Sequence, residues 1–418
     1  MAQTTSRSDH AKKRRWMSNI FSAKEITAME PRVQERVEVL LRSVKAKSRG
    51  GPVAETDEYG FGKGWRHDKN GRVVFDVRPW LNMLSYDAIA AMFWSETYGC
   101  LERGSDLVPA LRSTGNRDNV HAMASFHGTT GFLIPLAHLT AEWDAIAKRI
   151  FRYAKGSQRV DDFGSMVRYL VTRRIESPPK TPDLFSSIPV TPTEKRPYPV
   201  PLAEIMAECT TMLDAGNDTT QTSLTNALYH LSDYPRTQDK LREILRSALP
   251  AESRPVASYQ QLQHVPYLRA VLDESFRCRP PVNFGLPRKT VEATTIAGHT
   301  IPAGVTISSP LSSLHHDRRL FSEPQKFIPE RWLPDADIYP DEHHNLKDFV
   351  HPFSLGGRAC IGRNLAYMEL SIVIAALILE FEWSLDDSVH GGDKGIEIIE
   401  RLNSNPKELW VHARLLVV

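Results

Sequence analysis

The sequence predicts a mostly helical protein that carries a few small β-sheets. Apolar residues recur at spacings of three and four over most of the first two-thirds of the chain, a pattern typical of helices that bury one face. After Arg279, short β-prone runs appear between glycines and prolines, which indicates small sheets. The 418 residues are 41% hydrophobic and 24% charged, which is the composition of a globular protein with a substantial core.

The same periodicity places the individual elements. It predicts helices over residues 11–22, 26–48, 78–98, 141–176, 202–232, 236–248, 264–278 and 365–379, and strands over Thr294–Ile296 and Val305–Ser308. Eight prolines lie between Pro178 and Pro201 and exclude a helix there, so residues 177–201 are predicted to form a surface connector. Residues 324–352 show no sustained period and are predicted to form a long ordered coil. We expect residues 1–418 to form a single domain.

Charge and cysteine usage narrow the function classes. The net charge is +2, but the first 50 residues hold 12 Lys+Arg and 5 Asp+Glu. This basic end is either a solvated helix face or a docking surface for an acidic partner. No aromatic residues interleave a basic stripe, so nucleic acid is not expected as a partner. The four scattered cysteines indicate neither a disulfide framework nor a zinc site, and they fit a reducing compartment.

The amino terminus has no signal peptide, and no apolar run of 18 residues occurs in the chain. We therefore expect no transmembrane segment.

The strongest motif is Phe353-Ser-Leu-Gly-Gly-Arg-Ala-Cys360-Ile-Gly362, directly before the apolar helix 365–379. A cysteine thiolate that binds iron needs its charge moderated, and N–H groups of a glycine-permitted turn and of the following helix can point at the sulfur. The simpler interpretation is a buried structural cysteine before a helix. The combined register of Phe353, Gly356, Arg358, Cys360 and Gly362 favours the ligand.

A second motif is Ala215-Gly-Asn-Asp-Thr-Thr220, in the middle of the predicted helix 202–232. Glycine and adjacent threonines are poor helix formers, so this segment indicates either a plain helix kink or a local groove that opens beside a ligand. Thr219 lies four residues after Ala215 on the same helix face. Asp218 is placed to carry protons inward.

A third motif pairs Glu274 and Arg277, which share a helix face at a spacing of three. Most such pairs are surface salt bridges. Arg331 follows downstream in Pro329-Glu-Arg-Trp332.

These motifs together resemble the cytochrome P450 family. The segment 353–362 matches the family's haem-binding pattern Phe-x-x-Gly-x-Arg-x-Cys-x-Gly at every fixed position. The resemblance runs from about His10 to the end of the chain, in family order, and implies the cytochrome P450 fold, a helical bundle around haem with small β-sheets. It also implies that the family's amino-terminal anchor, its first helices and part of its sheet are lacking here.

The resemblance also assigns roles to residues. It implies Cys360 as the axial thiolate of haem b, and Arg358, Arg288, His10 and Arg14 as contacts to the haem propionates. Phe353 would shield the sulfur, and Gly356 and Gly362 would shape the loop. Thr219 and Asp218 would support oxygen activation and proton delivery. Glu274, Arg277 and Arg331 would form a structural triad that holds the coil behind the haem. By position, the substrate pocket would be lined by Leu213, Ala215, Val282, Asn283, Phe284 and Leu402.

The implied reaction inserts one oxygen atom from O2 into a small or medium organic substrate. Electrons would come from NADPH through a separate NADPH-cytochrome P450 reductase, with cytochrome b5 as an alternative donor, because the sequence has no GxGxxG or flavin motif after the haem region. By resemblance the protein would sit on the endoplasmic reticulum facing the cytosol, or in the cytoplasm if the chain is complete.

At finer grain, residues 75–94, the Gly-Leu-Pro-Arg288 segment and residues 352–370 are similar to the fungal benzoate 4-hydroxylase-like branch and to related secondary-metabolism enzymes. Two alternatives stay open: a haem-thiolate isomerase or coupling enzyme, and an inactive truncated relic. Two adjacent histidine pairs could indicate a metal, but we expect them to be solvated loop residues: His315, His316, His343 and His344.

Overall fold

Helices dominate the computed structural model, which describes residues 6–49, 65–137, 155–188, 190, 200–334, 346–391 and 395–416. The helices are α1 (Arg7–Ile20), α2 (Ala23–Ser48), α3 (Arg78–Trp94), α4 (Cys100–Arg103), α5 (Ala122–Ala137), α6 (Lys155–Glu176), α7 (Leu202–Asp233), α8 (Pro235–Ala248), α9 (Tyr259–Leu262), α10 (Pro266–Cys278), α11 (Leu311–His315), α12 (Arg363–Glu380) and α13 (Asp387–His390).

The predicted helices correspond to described helices within a few residues at most ends. Residues 141–154 of the predicted helix 141–176 lie outside the described residues. Capping explains where the first two helices begin: the hydroxyl of Ser6 accepts a hydrogen bond from the Asp9 N–H at 3.3 Å, and Ser22 accepts one from Glu25 at 3.4 Å. Each bond satisfies an N–H that has no partner inside its helix.

The strands are short and form small antiparallel sheets. They are β1 (Arg66–His67), β2 (Val73–Asp76), β3 (Leu107–Leu111), β4 (Arg117–His121), β5 (Arg288–Lys289), β6 (Thr294–Ile296), β7 (His299–Ile301), β8 (Thr306–Ile307), β9 (Phe381–Leu385), β10 (Ile398–Glu400), β11 (Ser404–Pro406) and β12 (Trp410–Leu415). The largest sheet has four strands in the order β1-β2-β12-β9, and its register pairs Val411 with Phe75 and with Leu385. The predicted strands Thr294–Ile296 and Val305–Ser308 correspond to β6 and β8.

The centre of the molecule is α12, the apolar helix that follows the Cys360 loop. Its residues from Tyr367 to Glu380 are all buried, and it packs against α2, α7 and α8. Because α12 is enclosed on all sides, it holds its amino-terminal end, and the loop before it, in a fixed place. Among the described helices, none is long and apolar enough to cross a membrane.

The proline-rich connector departs from the prediction in its middle. A 3-10 turn covers Leu184–Ser187, and the side chains of Leu184 and Phe185 are buried. Asp183 caps this turn and accepts hydrogen bonds from Arg174 at 2.6 Å and from Ser95 at 2.8 Å. The expectation of a surface connector over residues 177–201 is therefore wrong for this turn, because its two apolar side chains and one carboxylate anchor it to α3 and α6. Residues 189 and 191–199 lie outside the described residues.

Candidate active site

The Cys360 thiol lies at the end of a tight loop that leads into α12. Ser354 and Gly356 have positive φ angles of 59° and 72°, and a 3-10 turn follows over Gly356–Arg358. The N–H of Cys360 donates to the carbonyl oxygen of Phe353 at 2.8 Å, which closes the loop. A side chain on Gly356 would oppose its left-handed conformation, so this glycine is needed for the turn.

Burial and neighbouring positive groups act in opposite directions on the Cys360 thiol, and its pKa is raised overall. Cys360 is exposed, so the sulfur has an open side, although its other sides are enclosed by the loop. That enclosure raises the pKa of the Cys360 thiol, while the Gly362 N–H and the charges of Arg14 and Arg363 act to lower it. A thiol with one open side and with N–H and positive groups on the other sides can serve as a thiolate ligand to iron.

Aromatic rings enclose the loop from one side. The ring of Phe353 makes an edge contact with Phe276 at a centroid distance of 5.1 Å and a tilted contact with Tyr367 at 5.2 Å. The guanidinium of Arg363 lies 5.9 Å from the centroid of Phe353. This packing fixes the ring of Phe353 at the start of the cysteine loop.

Positive groups from α1 gather next to the loop. The guanidinium Nη1 of Arg14 donates to the carbonyl oxygen of Ala359 at 2.8 Å. His10 is buried, and its pKa is lowered by burial and by the nearby charges of Arg358 and Arg14. The structure therefore brings together three of the four predicted propionate contacts. The fourth, Arg288, is exposed on β5 and donates to the carbonyl oxygen of its neighbour Pro287 at 3.0 Å. Its role as a propionate contact stays a prediction.

The second motif presents two of its residues to open space on α7. Ala215 is exposed and Thr219 is partly exposed, whereas Asp218 is buried. The hydroxyl of Thr219 donates to the carbonyl oxygen of Ala215 at 2.6 Å, one turn earlier. A side chain on Gly216 would come within 2.6 Å of Ile89 on α3, so this glycine allows close helix packing. Thr219 and Ala215 thus share an accessible face, as the sequence predicts.

Asp218 points away from that face into a polar network. Its carboxylate accepts hydrogen bonds from the side-chain amides of Asn403 at 2.6 Å and Asn405 at 2.8 Å. Burial by itself would raise the pKa of Asp218, but the nearby His127 ring and the hydrogen bonds from Asn405 and Asn403 outweigh it and lower the pKa. No sequence motif marks these three partners. They lie far from Asp218 along the chain, so only the fold brings them to it.

The predicted pocket residues divide into two groups. Leu213 is fully buried in the hydrophobic core, so the expectation that it lines a pocket is not met; the helical rotation that exposes Ala215 turns Leu213 inward. Phe284 and Leu402 are exposed at 40% and 36%, and Val282 is partly exposed. Asn283 donates to Glu400 at 2.9 Å and lines a polar cavity of about 230 Å³ that also includes Tyr229 and Arg279.

The third motif forms a buried charge cluster. The guanidinium of Arg277 donates to both carboxylate oxygens of Glu274 at 2.9 Å, and Arg331 donates to Glu274 at 3.1 Å. The indole of Trp332 also donates to Glu274, at 3.0 Å. These side chains have essentially no exposed surface at their charged ends. The cluster joins α10 to the segment before the Cys360 loop, and Trp332 is a member that the sequence motif did not identify.

The expectation for the histidine pairs is wrong for His315. This residue is fully buried, its ring nitrogens have no hydrogen-bond partner, and burial is the main reason that its pKa falls to about 4. Its carbonyl oxygen accepts a hydrogen bond from Arg277 at 2.9 Å, which ties it to the charge cluster. His316 is partly buried, and residues 343 and 344 lie outside the described residues. The described residues contain no cluster of His, Cys, Asp and Glu suited to a metal ion.

Comparison with known proteins assigns this arrangement to a family. A model of the cytochrome P450 family matches residues 2–398. The chain is 30% identical to the cytochrome P450 monooxygenase traB of Penicillium crustosum over 91% of its own length and 68% of that protein. It is 28% identical to the benzoate 4-monooxygenase bphA of Aspergillus niger, covering 91% of this chain and 72% of that one.

A solved structure shows the same fold. The crystal structure of a cytochrome P450 superimposes with a TM-score of 0.71, covers 96% of this chain and 77% of the other, and shares 19% sequence identity.

Proposed function

This chain belongs to the cytochrome P450 family and is a haem monooxygenase, and from that premise we propose that Cys360 would hold haem b as its thiolate ligand. The observation that carries this proposal is the position of the Cys360 sulfur, which has one open side at the end of a loop held by the buried helix α12. His10, Arg14 and Arg358 lie together beside the same loop, where the two guanidinium charges and a ring N–H of His10 suit two propionate carboxylates. Arg288 would supply a further contact.

The residues around the sulfur therefore fit haem. When bound, the haem iron supplies the centre at which O2 is activated, so that one oxygen atom enters the substrate and the other is reduced to water. Phe353 excludes water from the sulfur side, since it is packed between Phe276 and Tyr367. The Gly362 N–H points positive charge density at the sulfur, which tempers the electron donation of a thiolate.

Thr219 and Asp218 on α7 would handle the protons of the reaction. The Thr219 hydroxyl lies on the accessible face of α7, where it donates its proton to the Ala215 carbonyl oxygen and its lone pairs can accept a hydrogen bond from a group beside it. Asp218 holds a negative charge directly beside it in sequence, which draws protons toward this part of the helix. A rearrangement enzyme needs neither an acid nor an alcohol at this place, so the pair favours oxygen insertion.

The substrate is a small or medium organic molecule. We place its binding region near Ala215, Val282, Phe284 and Leu402, which are the predicted pocket residues that have open surface. The relatives are fungal monooxygenases, so the reaction belongs to fungal secondary metabolism or to the oxidation of aromatic compounds. Hydroxylation of such a molecule is the reaction class that we propose.

Electrons come from a redox partner, as is general in this family. We assign that role to NADPH-cytochrome P450 reductase, with cytochrome b5 as an alternative donor, on the endoplasmic reticulum surface facing the cytosol. Arg15 and Lys12 on α1 are exposed on the helix that carries Arg14, so α1 offers positive charge close to the Cys360 loop. An acidic partner surface would dock there with complementary charge.

The decisive experiment is the spectrum of the reduced, CO-bound protein. The wild-type protein is expected to show the red-shifted Soret band of a thiolate-ligated haem, and Cys360→Ser is expected to lose it, because an alcohol is a poor donor to iron. Cys278→Ser is the matched control, since Cys278 is a second free thiol, at the end of α10, and it should keep the band. An unchanged band in Cys360→Ser would refute the assignment.

A further inference from the structure

The Asp218 carboxylate lies among donors from separate parts of the chain. Asn403, in the turn between β10 and β11, donates to Oδ2 at 2.6 Å, and Asn405 on β11 donates to Oδ1 at 2.8 Å. The Asn405 amide also donates to the Thr222 hydroxyl at 3.0 Å, one turn further along α7. All four side chains are buried. Two amide donors at these distances fix the carboxylate and stabilise its charged form.

A third group on α5 approaches the same carboxylate. The Nε2 atom of His127 lies 3.6 Å from Oδ1 of Asp218 and 3.4 Å from Nη2 of Arg78. A ring nitrogen between an anion and a guanidinium has two uses: with a proton it donates to Asp218, and without one it accepts from Arg78. The His127 side chain keeps 15% of its surface exposed, against 3% for Asp218. His127 therefore has access to solvent that the carboxylate itself lacks.

The chemistry of these groups separates their roles. Side-chain amides do not release protons, and a guanidinium keeps its proton at any physiological pH. Among the described groups that touch Asp218, the imidazole of His127 is the one that gains and loses a proton near neutral pH.

We propose that His127 is the proton-relay residue of this site: it takes protons from solvent and passes them to Asp218, while Asn403 and Asn405 are positioning residues that hold the carboxylate in place to receive them. This inference rests on the proposed function, because it assigns the supply of the protons that oxygen reduction consumes.

Each cycle of the relay transfers one proton. The His127 imidazolium gives its Nε2 proton to Oδ1 of Asp218, which leaves a neutral imidazole and a neutral carboxylic acid. Because the amides hold Asp218 away from the accessible face of α7, its side chain then turns toward Thr219, releases that proton there and becomes a carboxylate again. The neutral Nε2 accepts a hydrogen bond from Arg78 until the ring takes a new proton from water. No group changes oxidation state, and each cycle moves one proton from solvent to the accessible face of α7 at Thr219.

The charged groups around His127 determine the pH range in which it gains and loses a proton. Burial and the nearby charges of Arg78 and Arg401 lower the pKa of His127, against the opposing effect of Asp218. Asp218 also faces Tyr86 and Asp214, whose pKa values are raised by burial first and by its charge second. Because Arg78 and Arg401 stay charged and Tyr86 stays neutral near pH 7, His127 and Asp214 are the groups here that change charge in the working range. Asp214 therefore needs a variant of its own.

The test measures product formed per NADPH consumed across about pH 5.5 to 8, with a suitable reductase and any accepted substrate. The coupling of wild type is expected to fall as pH rises, since a smaller fraction of His127 rings carries the second proton. His127→Gln keeps a hydrogen-bonding side chain that does not titrate near neutral pH, and we expect about tenfold weaker coupling with no such pH dependence. His121→Gln is the matched control: His121 on β4 bonds to Asp106 at 2.8 Å away from the site, so it should follow wild type.

A second measurement does not depend on turnover. In the diamagnetic CO-bound ferrous protein, nitrogen-15 NMR follows the His127 ring through a pH titration. We expect a pKa below the ordinary value of about 6.5, lower still in Asp218→Asn, and little changed in Asp214→Asn.

The outcomes are distinct. A His127→Gln profile that matches wild type, or a His127 ring that is insensitive to Asp218→Asn, would overturn the relay while leaving the monooxygenase assignment intact. Wild-type protein without the thiolate CO band would instead overturn the proposed function itself.

Discussion

The guanidinium of Arg14 donates a 2.8 Å hydrogen bond to the carbonyl oxygen of Ala359, the residue directly before Cys360. This bond connects α1 to the cysteine loop across 345 positions of sequence. The same side chain is a predicted propionate contact, so its loss would affect haem binding both directly and through the position of the loop.

We therefore expect Arg14→Ala to weaken haem retention. Loss of one charge-assisted hydrogen bond costs on the order of 1.5 kcal/mol, which is about tenfold in affinity. The measurement is the rate of haem transfer to an excess of apomyoglobin. Arg15→Ala, an exposed neighbour on α1, is the control and should transfer haem at the wild-type rate; equal rates for both variants would show that Arg14 is only a surface charge.

The buried charge cluster predicts a stability effect. Glu274→Ala leaves Arg277 and Arg331 without their shared anion, and removal of one partner of a buried pair costs about 3–5 kcal/mol. Haem content and the denaturation midpoint should both fall sharply. Arg319→Ala removes a partner from the exposed pair with Asp317 and should change neither. Normal haem content in Glu274→Ala would mean that the cluster does not hold the loop.

The Thr219 hydroxyl predicts a change in how electrons are used. Thr219→Ala should still bind substrate and consume NADPH, but it should release hydrogen peroxide and form about tenfold less product. Thr219→Ser keeps a hydroxyl and should retain most of the coupling. NADPH, peroxide and product are measured for each variant, and a coupled Thr219→Ala would reduce this segment to a helix kink and revive the rearrangement alternative.

Glu369 predicts a pH-dependent stability. Burial in α12 raises its pKa to about 8, compared with about 4.3 in an unfolded chain. The folded protein thus holds a proton that the unfolded chain releases, so the stabilising contribution is full below about pH 4.3 and is lost as pH rises to about 8. Glu369→Gln should remove this dependence, with wild type losing on the order of 2–4 kcal/mol relative to it between about pH 5 and pH 8. Denaturant unfolding of both proteins at both pH values measures this difference. An equal change of the unfolding free energy with pH in wild type and in Glu369→Gln would contradict a raised pKa of the buried carboxyl.

The sequence located the features whose contacts are local. The turn from Phe353 to Gly362 needs glycine at particular positions, and the Glu274–Arg277 pair needs only a helix, so both could be recognised in the printed residues. The helices over 202–232 and 365–379 were also predicted, because sustained apolar periodicity directly reflects burial.

Features that depend on distant contacts were missed. The sequence around Asp218 does not indicate its contacts with Asn403, Asn405 and His127, because these residues come close to it only in the folded chain. The hairpin of β3 and β4 also escaped prediction, because Pro109 interrupts the first strand and the second is largely polar. Helix α5 contains Gly128 and Gly131, which weaken the helical signal.

The buried turn in the proline-rich connector affects the conformational entropy cost of folding this stretch. The turn anchors the chain soon after α6 ends, so residues 177–183 form a short closed loop, and the entropy cost of closing a loop grows only with the logarithm of its length, about 0.6 kcal/mol per doubling. Residues inserted between Glu176 and Leu184 would therefore lengthen this loop at little cost and leave the anchor of Leu184 and Phe185 in place.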